Sequence, residues 1–260
     1  MKKNFTTLTV LFALALTLFG DDSSNKQKTA EEMIRDFTSS YQKKVAKEEK
    51  VIFGIEIQGE GGGKWCIMVE PGQKVTIHEG KPKKPTFYFT TDLETLRKIH
   101  KGELNALTAA GKARASDPAP LDIKFMEGAP PWAEVQTKVL HVIFHFFVMG
   151  SPEIVYFGEE HSRFVHGGNA AIFYYAKGLR TGWYQIKKGM IINQDERDQV
   201  NPFPTLIICI RGEGQAKLGE KVMTLKKGMT VYIPTGMSHM FWNEKEEPCE
   251  FIIIMFGEGA

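Results

Sequence analysis

The stretch GMTVYIPTGMSHMFWN, Gly228 to Asn243, carries one histidine on an alternating, strand-like run. A lone imidazole on a strand serves a transition metal when two or three further donors converge on it, and otherwise serves as a hydrogen-bonding group. A second histidine feature is the pair His141 and His145, at the i, i+4 spacing that places both rings on one helix face. No glutamate follows His141 as in HExxH, so a metalloprotease is not indicated and a buried helix is the plainer reading. GEGGGK, Gly59 to Lys64, lacks the GxxxxGK[ST] spacing of a phosphate loop. No nucleophile–base pair, Ser-His-Asp order or GxSxG element is present to supply acyl-transfer chemistry.

The elements that must position these residues follow from pattern. The chain has 260 residues, 42% hydrophobic and 25% charged, with a formal net charge of +2. That is globular composition, and the charge gives no reason to expect a nucleic-acid partner. The basic run KPKKP, Lys81 to Pro85, reads as a solvated loop because of its prolines. Cys66, Cys209 and Cys249 share no CxxC spacing; they read as buried thiols, with no disulfide framework.

Residues 1–20 combine two lysines, a short apolar run and a small residue before Asp21, the parts of a secretory signal. The run is shorter than the ~20 apolar residues of a membrane span. Export to the periplasm is therefore expected, with an ordinary N-terminal helix and a cytoplasmic location as the alternative. A polar linker, 21–28, follows. Thr29 and Glu32 form a capping-box pattern, and Met33, Ile34, Phe37, Tyr41 and Val45 recur at helical spacing, predicting a helix to about Glu49. VIFGIEIQG, KWCIMVE, KVTIHEG and PTFYFTT predict four strands. Two short helices broken at Gly102 come next, the first capped by Thr91 or Asp92 and the second ended by Gly111, then a strand near Ala113 to Phe125. Pro130 and Pro131 mark the start of an apolar helix from Trp132 to Met149, expected to bridge two domains or to cover a cavity and meet a membrane surface. From Gly150 onward short strands at close spacing predict a closed barrel or sandwich.

Two resemblances rest on these residues. KWCIMVEPGQKVTIHEG, followed by PTFYFTTDLETLRKIHKGELNALTAAGKARA, resembles the sterol carrier protein type 2 domain over residues 29–127. The resemblance implies an α+β domain, a helix-covered antiparallel sheet, whose tunnel takes an acyl lipid or sterol-like molecule. Gly228, Pro234, Gly236, His239 and Asn243 fit G-x5-P-x-G-x2-H-x3-N, the second motif of the cupin superfamily. That resemblance implies an all-β barrel, a double-stranded β-helix, over residues 161–260, with 128–160 as the bridging helix and linker.

The first cupin motif aligns on Gly189 and Gly212, with Asp195 and Arg197 where the family has histidines and Thr205 at the later ligand position. Three of four family ligands are absent, and Arg197 repels a cation. No cofactor is therefore expected; a divalent transition metal on His239 and Asp195, with Glu196, Asp198, His161 or His166 nearby, is the alternative. The remaining pocket expectation is His239, Arg197, Asp195, Phe241, Tyr232 and Trp183 around a small acid. The functional expectation is binding or carriage of a hydrophobic ligand by the first domain, with the barrel as a small-ligand sensor or as the homodimer contact. A cupin metalloenzyme of dioxygenase or isomerase type, acting on an apolar substrate, is the alternative.

Overall fold

A computed structural model describes residues 27–112, 114 and 116–260; residues 1–20, where a secretory signal is expected, and most of the expected linker lie outside the described residues. Helix α1 (Ala30–Gln42) opens on the capping box: the Thr29 hydroxyl accepts from the Glu32 amide, and the Glu32 carboxylate accepts from the Thr29 amide. Its buried face is Met33, Ile34, Phe37 and Tyr41. The helix ends seven residues before Glu49, because the chain turns at Lys43 to place Val45 in the core and the Lys44 ammonium on the carbonyls of His145 and Val148.

Strands β1 (Val51–Gln58), β2 (Gly63–Glu70), β3 (Lys74–Glu79) and β4 (Phe87–Asp92) follow, then helices α2 (Leu93–Lys101) and α3 (Ala106–Ala110), and β5 (Asp122–Phe125). The Asp92 carboxylate caps α2 by accepting from the Thr95 amide at 2.7 Å, and Gly102 ends it in the left-handed region that glycine tolerates. The sheet order is β3-β2-β1-β4-β5, and β1 and β4 run parallel, Ile55 opposite Phe89. The sheet is therefore mixed, not antiparallel: the connection between β3 and β4 crosses over, so β4 docks on the free edge of β1. The last strand is also shorter than the expected Ala113 to Phe125.

Helix α4 (Trp132–His145) starts after Pro131, as the prolines indicate, but stops at His145 instead of reaching Met149. Phe146 and Phe147 leave the helix and insert between α1 and the sheet. Phe146 lies 5.2 Å from Phe53 and 5.6 Å from Tyr41, ring to ring, and Phe147 lies 5.3 Å from Phe89. Both are buried, so the space between sheet and helices is filled by the chain's own rings.

The C-terminal half holds β6 (Arg163–Val165), β7 (Gly168–Ala176), β8 (Leu179–Ile186), β9 (Ile191–Ile192), β10 (Thr205–Arg211), β11 (Glu213–Leu218), β12 (Lys221–Lys226), β13 (Thr230–Ile233), β14 (His239–Trp242) and β15 (Cys249–Phe256). QAKLGEKVMTL is a hairpin, β11 and β12 turning at Gly219. Two sheets face each other, β13-β10-β15-β8-β7-β6 and β12-β11-β14-β9. Alternation turns Ile207, Phe251, Ile186, Phe241 and Leu225 into a shared core. The long sheet also carries Ile172 and Tyr175 into the core of the N-terminal half.

Truncating Phe146 removes a ring wedged among four others. The Phe146→Ala variant is expected to lose about 3–5 kcal/mol of stability, read as a lower urea midpoint at unchanged slope.

Candidate functional site

The motif around His239 is mostly turn geometry. Gly228 and Gly236 have φ of 87° and 79°, which favours glycine. The buried Asn243 amide donates to the carbonyls of Ile186 and Glu247, both at 2.9 Å, and its oxygen accepts from the Lys245 amide at 2.7 Å. These contacts pin β14 so that His239 and Phe241 face the barrel interior.

His239 is 4% exposed. Its Nδ1–H donates to the Met237 carbonyl at 3.1 Å, which leaves Nε2 as the acceptor facing the Asn201 amide at 3.4 Å. Asn201 also donates to the Thr205 hydroxyl at 3.2 Å. Burial holds the imidazole below its usual pKa, so it is neutral near pH 7. The Phe241 ring lies 5.9 Å from His239 and 5.6 Å from Phe251, and Tyr184 stacks on Phe251 at 5.9 Å. Burial pushes the Tyr184 phenol up to about 12. The interior thus combines aromatic rings with a neutral imidazole, the Asn201 amide and the hydroxyls of Thr205 and Tyr184.

The other expected pocket residues lie elsewhere. Asp195 caps a short 3-10 turn, Glu196–Asp198, and its carboxylate accepts from Arg197 at 2.6 Å and from Arg114 at 2.7 Å. These partners hold Asp195 well below the usual carboxylate range, the bonds from Arg197 first. The Arg197 side chain is 75% exposed and committed to Asp195, so it brings no cation to the interior. Tyr232 is 58% exposed, because its neighbours Val231 and Ile233 take the inward positions of β13. Trp183 is buried on the outer face of the long sheet, beside Phe157, and donates to Glu250 at 3.2 Å. Of the six, only His239 and Phe241 meet in the barrel interior; Asp195 and Arg197 pair with each other away from it. Asn201 is the partner that sequence reasoning missed; Thr205, noted only as a replaced ligand, was its one pointer.

Residues of this kind do not fit a cupin metal. Both His239 nitrogens are engaged, Asp195 is bound by two arginines, and Thr205 is a hydroxyl. Among the described residues no group of three or more His, Cys, Asp or Glu is arranged to hold a metal ion. His161 and His166 do not swing in: His161 bonds to the Glu103 carbonyl at 3.0 Å, and His166 lies 3.8 Å from Asp198. His141 is half-buried against His145, whose Nδ1 lies 2.7 Å from Glu153.

A ligand-sized space lies in the N-terminal half, against strands β1, β2, β4 and β5. A cavity of about 300 Å³ is lined by Gly54, Trp65, Pro82, Tyr88, Phe125 and Met126, with Glu56, Lys64, Lys81 and Glu127 at its polar edge. A Cβ on Gly54 would stand 2.8 Å from the Tyr88 Cβ and 3.1 Å from Pro82, so glycine is needed for the floor to close.

Comparison with known proteins bears on the barrel. The cupin-domain family matches residues 182–255, so the chain carries a C-terminal cupin domain. A cupin 2 conserved barrel domain protein from Salinispora arenicola is 15% identical, covering 42% of this chain and 91% of its own, with a TM-score of 0.36. An RmlC-like cupin family protein with a double-stranded β-helix fold from Methanocaldococcus jannaschii is 17% identical, covering 42% and 94%, with a TM-score of 0.34. A conserved protein with a double-stranded β-helix domain from Klebsiella pneumoniae is 21% identical, covering 42% and 94%, with a TM-score of 0.35. No curated protein matches the chain.

Two outcomes are expected. Elemental analysis of the purified full chain finds no stoichiometric iron, nickel or manganese, and His239→Ala leaves that unchanged. His141, His166 and His239 all have pKa values lowered by burial, so the unfolded chain binds more protons than the folded one as the pH drops. Stability is therefore full above the ordinary histidine pKa of about 6.5 and falls as the pH drops below it. Urea midpoints measured across that range give the slope, and His239→Gln makes it shallower.

Proposed function

We propose that the chain is a non-enzymatic binding protein whose N-terminal domain holds a hydrophobic ligand with a polar head, an acyl lipid or sterol-like molecule. The cavity beneath Tyr88 and Phe125 is the observation that carries this reading. Its volume is at the low end of small-molecule sites, about 300–1,000 Å³. Its apolar floor and charged edge suit a molecule with a short apolar part and an anionic head. Each methylene moved from water onto that floor contributes about 0.8 kcal/mol, and Lys81 at the edge supplies the counter-charge. The sterol-carrier resemblance leads to the same ligand class, but places the tunnel between sheet and helices, where Phe146 and Phe147 now stand.

In this reading the barrel is auxiliary, a sensor for an uncharged organic molecule or the contact of a homodimer, in a chain exported to the periplasm and working beside a membrane surface. Tyr232 and Phe256, exposed on the outer side of the long sheet, support a partner face there. The donor set around His239 gives the metalloenzyme reading no support.

A fluorescent medium-chain fatty acid tests the proposal. The full chain is expected to bind it at micromolar concentration. Lys81→Glu is expected to weaken binding roughly tenfold, the loss of one charge-assisted contact of about 1.5 kcal/mol, while binding of the matching fatty alcohol is unaffected. No binding, or equal loss for acid and alcohol, overturns the reading.

A further inference from the structure

Cys209 and Cys249 have no CxxC relationship and stand 40 positions apart, yet their sulfurs lie 4.0 Å from each other in the barrel core. Cys209 is on β10 and Cys249 opens β15, its antiparallel neighbour. In a regular ladder Cys209 faces Phe251, and Cys249 lies two residues along the partner strand. The bulge between Cys209 and Arg211 changes that register, pairing Arg211 with Glu250. The start of β15 thus runs opposite Arg211 and Gly212, and the Cys249 side chain leans back along the ladder to bring its sulfur to Cys209. Room for the pair comes from Gly214 on β11, where a Cβ would stand 3.1 Å from the Cys249 sulfur. A disulfide needs sulfurs about 2.05 Å apart, so rotation of the two side chains has about 2 Å to close.

We propose that Cys209 and Cys249 form a dithiol that a disulfide oxidant converts into a cross-link stapling β10 to β15. The loop it closes contains β11 to β14, and with them His239. The chemistry is thiol–disulfide exchange. The Cys209 thiolate attacks one sulfur of the oxidant, whose S–S bond breaks and releases one thiolate. The Cys249 thiol then gives up its proton and displaces the second, leaving Cys209–Cys249 oxidised and the oxidant reduced by two electrons. Either thiolate can make the first attack, because the two sulfurs meet at 4.0 Å with either one as hydrogen-bond donor. The two are 2% and 0% exposed, so exchange happens while the barrel is still closing. Cys66, on β2 of the other sheet, has neither sulfur within reach among the described residues and remains a thiol.

The test refolds the full chain with reduced and oxidised glutathione, then alkylates the denatured product and maps it by mass spectrometry. One alkylated thiol per chain, at Cys66, with a Cys209–Cys249 peptide link, is expected. The thermal midpoint of the oxidised protein is expected to exceed that of the reduced protein by on the order of 10 °C. Cys66→Ser keeps the link and the shift; Cys249→Ser abolishes both and leaves two alkylated thiols. Three alkylated thiols in the parent chain, a link through Cys66, or an oxidised form that melts lower than the reduced one overturns the proposal.

Discussion

The guanidinium of Arg163 holds the two halves of the molecule together. Helix α3 is five residues long, and its last carbonyls have no partner within the helix. Arg163, on the first strand of the barrel sheet, donates to the carbonyls of Thr108, Ala109 and Gly111 at 2.8, 2.7 and 3.1 Å. A cation at a helix C-terminus also meets the negative end of the dipole. The Thr108 hydroxyl returns the contact by accepting from the Ile172 amide at 2.7 Å. With α3 fixed on β7, the chain leaving it is aimed so that Arg114 reaches Asp195 and Asp198. The same junction therefore decides that Asp195 faces an arginine and not His239.

The barrel keeps the backbone of its fold and changes the chemistry inside it. Gly228 and Gly236 turn the chain at positive φ, and Asn243 pins β14 by hydrogen bonds. His239 keeps its place on β14, but its nitrogens are satisfied by Met237 and Asn201. The positions that would complete a metal shell carry a paired carboxylate, an exposed arginine and a hydroxyl. What remains is an interior of aromatic rings and neutral polar groups. In the N-terminal half charge and apolar surface meet instead at a sheet face, where Lys64 and Glu56 pair at 3.0 Å beside Tyr88 and Phe125.

Local signals were legible in the sequence and distant ones were not. Thr29 with Glu32, Asp92 before α2, Gly102 after it and Pro131 before α4 act within three or four residues, and each stands where its pattern places it. The spacing from Gly228 to Asn243 led to the barrel because its turns are equally local. The parallel pairing of β1 with β4 was hidden, since nothing in either strand names its neighbour. Trp183 and Tyr232 were assigned to the interior on residue type, although strand alternation puts Tyr184 and Val231 there. The hold of Arg114 on Asp195 spans 81 positions, and no periodicity reports such a contact. The approach of Cys209 to Cys249 joins residues 40 positions apart, and composition does not report it.

The way α4 ends redraws where a foldable unit begins and stops. Lys44 from the end of α1 binds the carbonyls of His145 and Val148 and pairs with Glu153 at 2.8 Å. Phe146 and Phe147 complete the packing around Phe37, Phe53 and Phe89. The bridging segment is thus the last piece of the first domain's core and not a spacer between two finished ones. A fragment cut after Met126 ends as an open apolar cleft, while one carried past Glu153 brings its own stopper and its own latch.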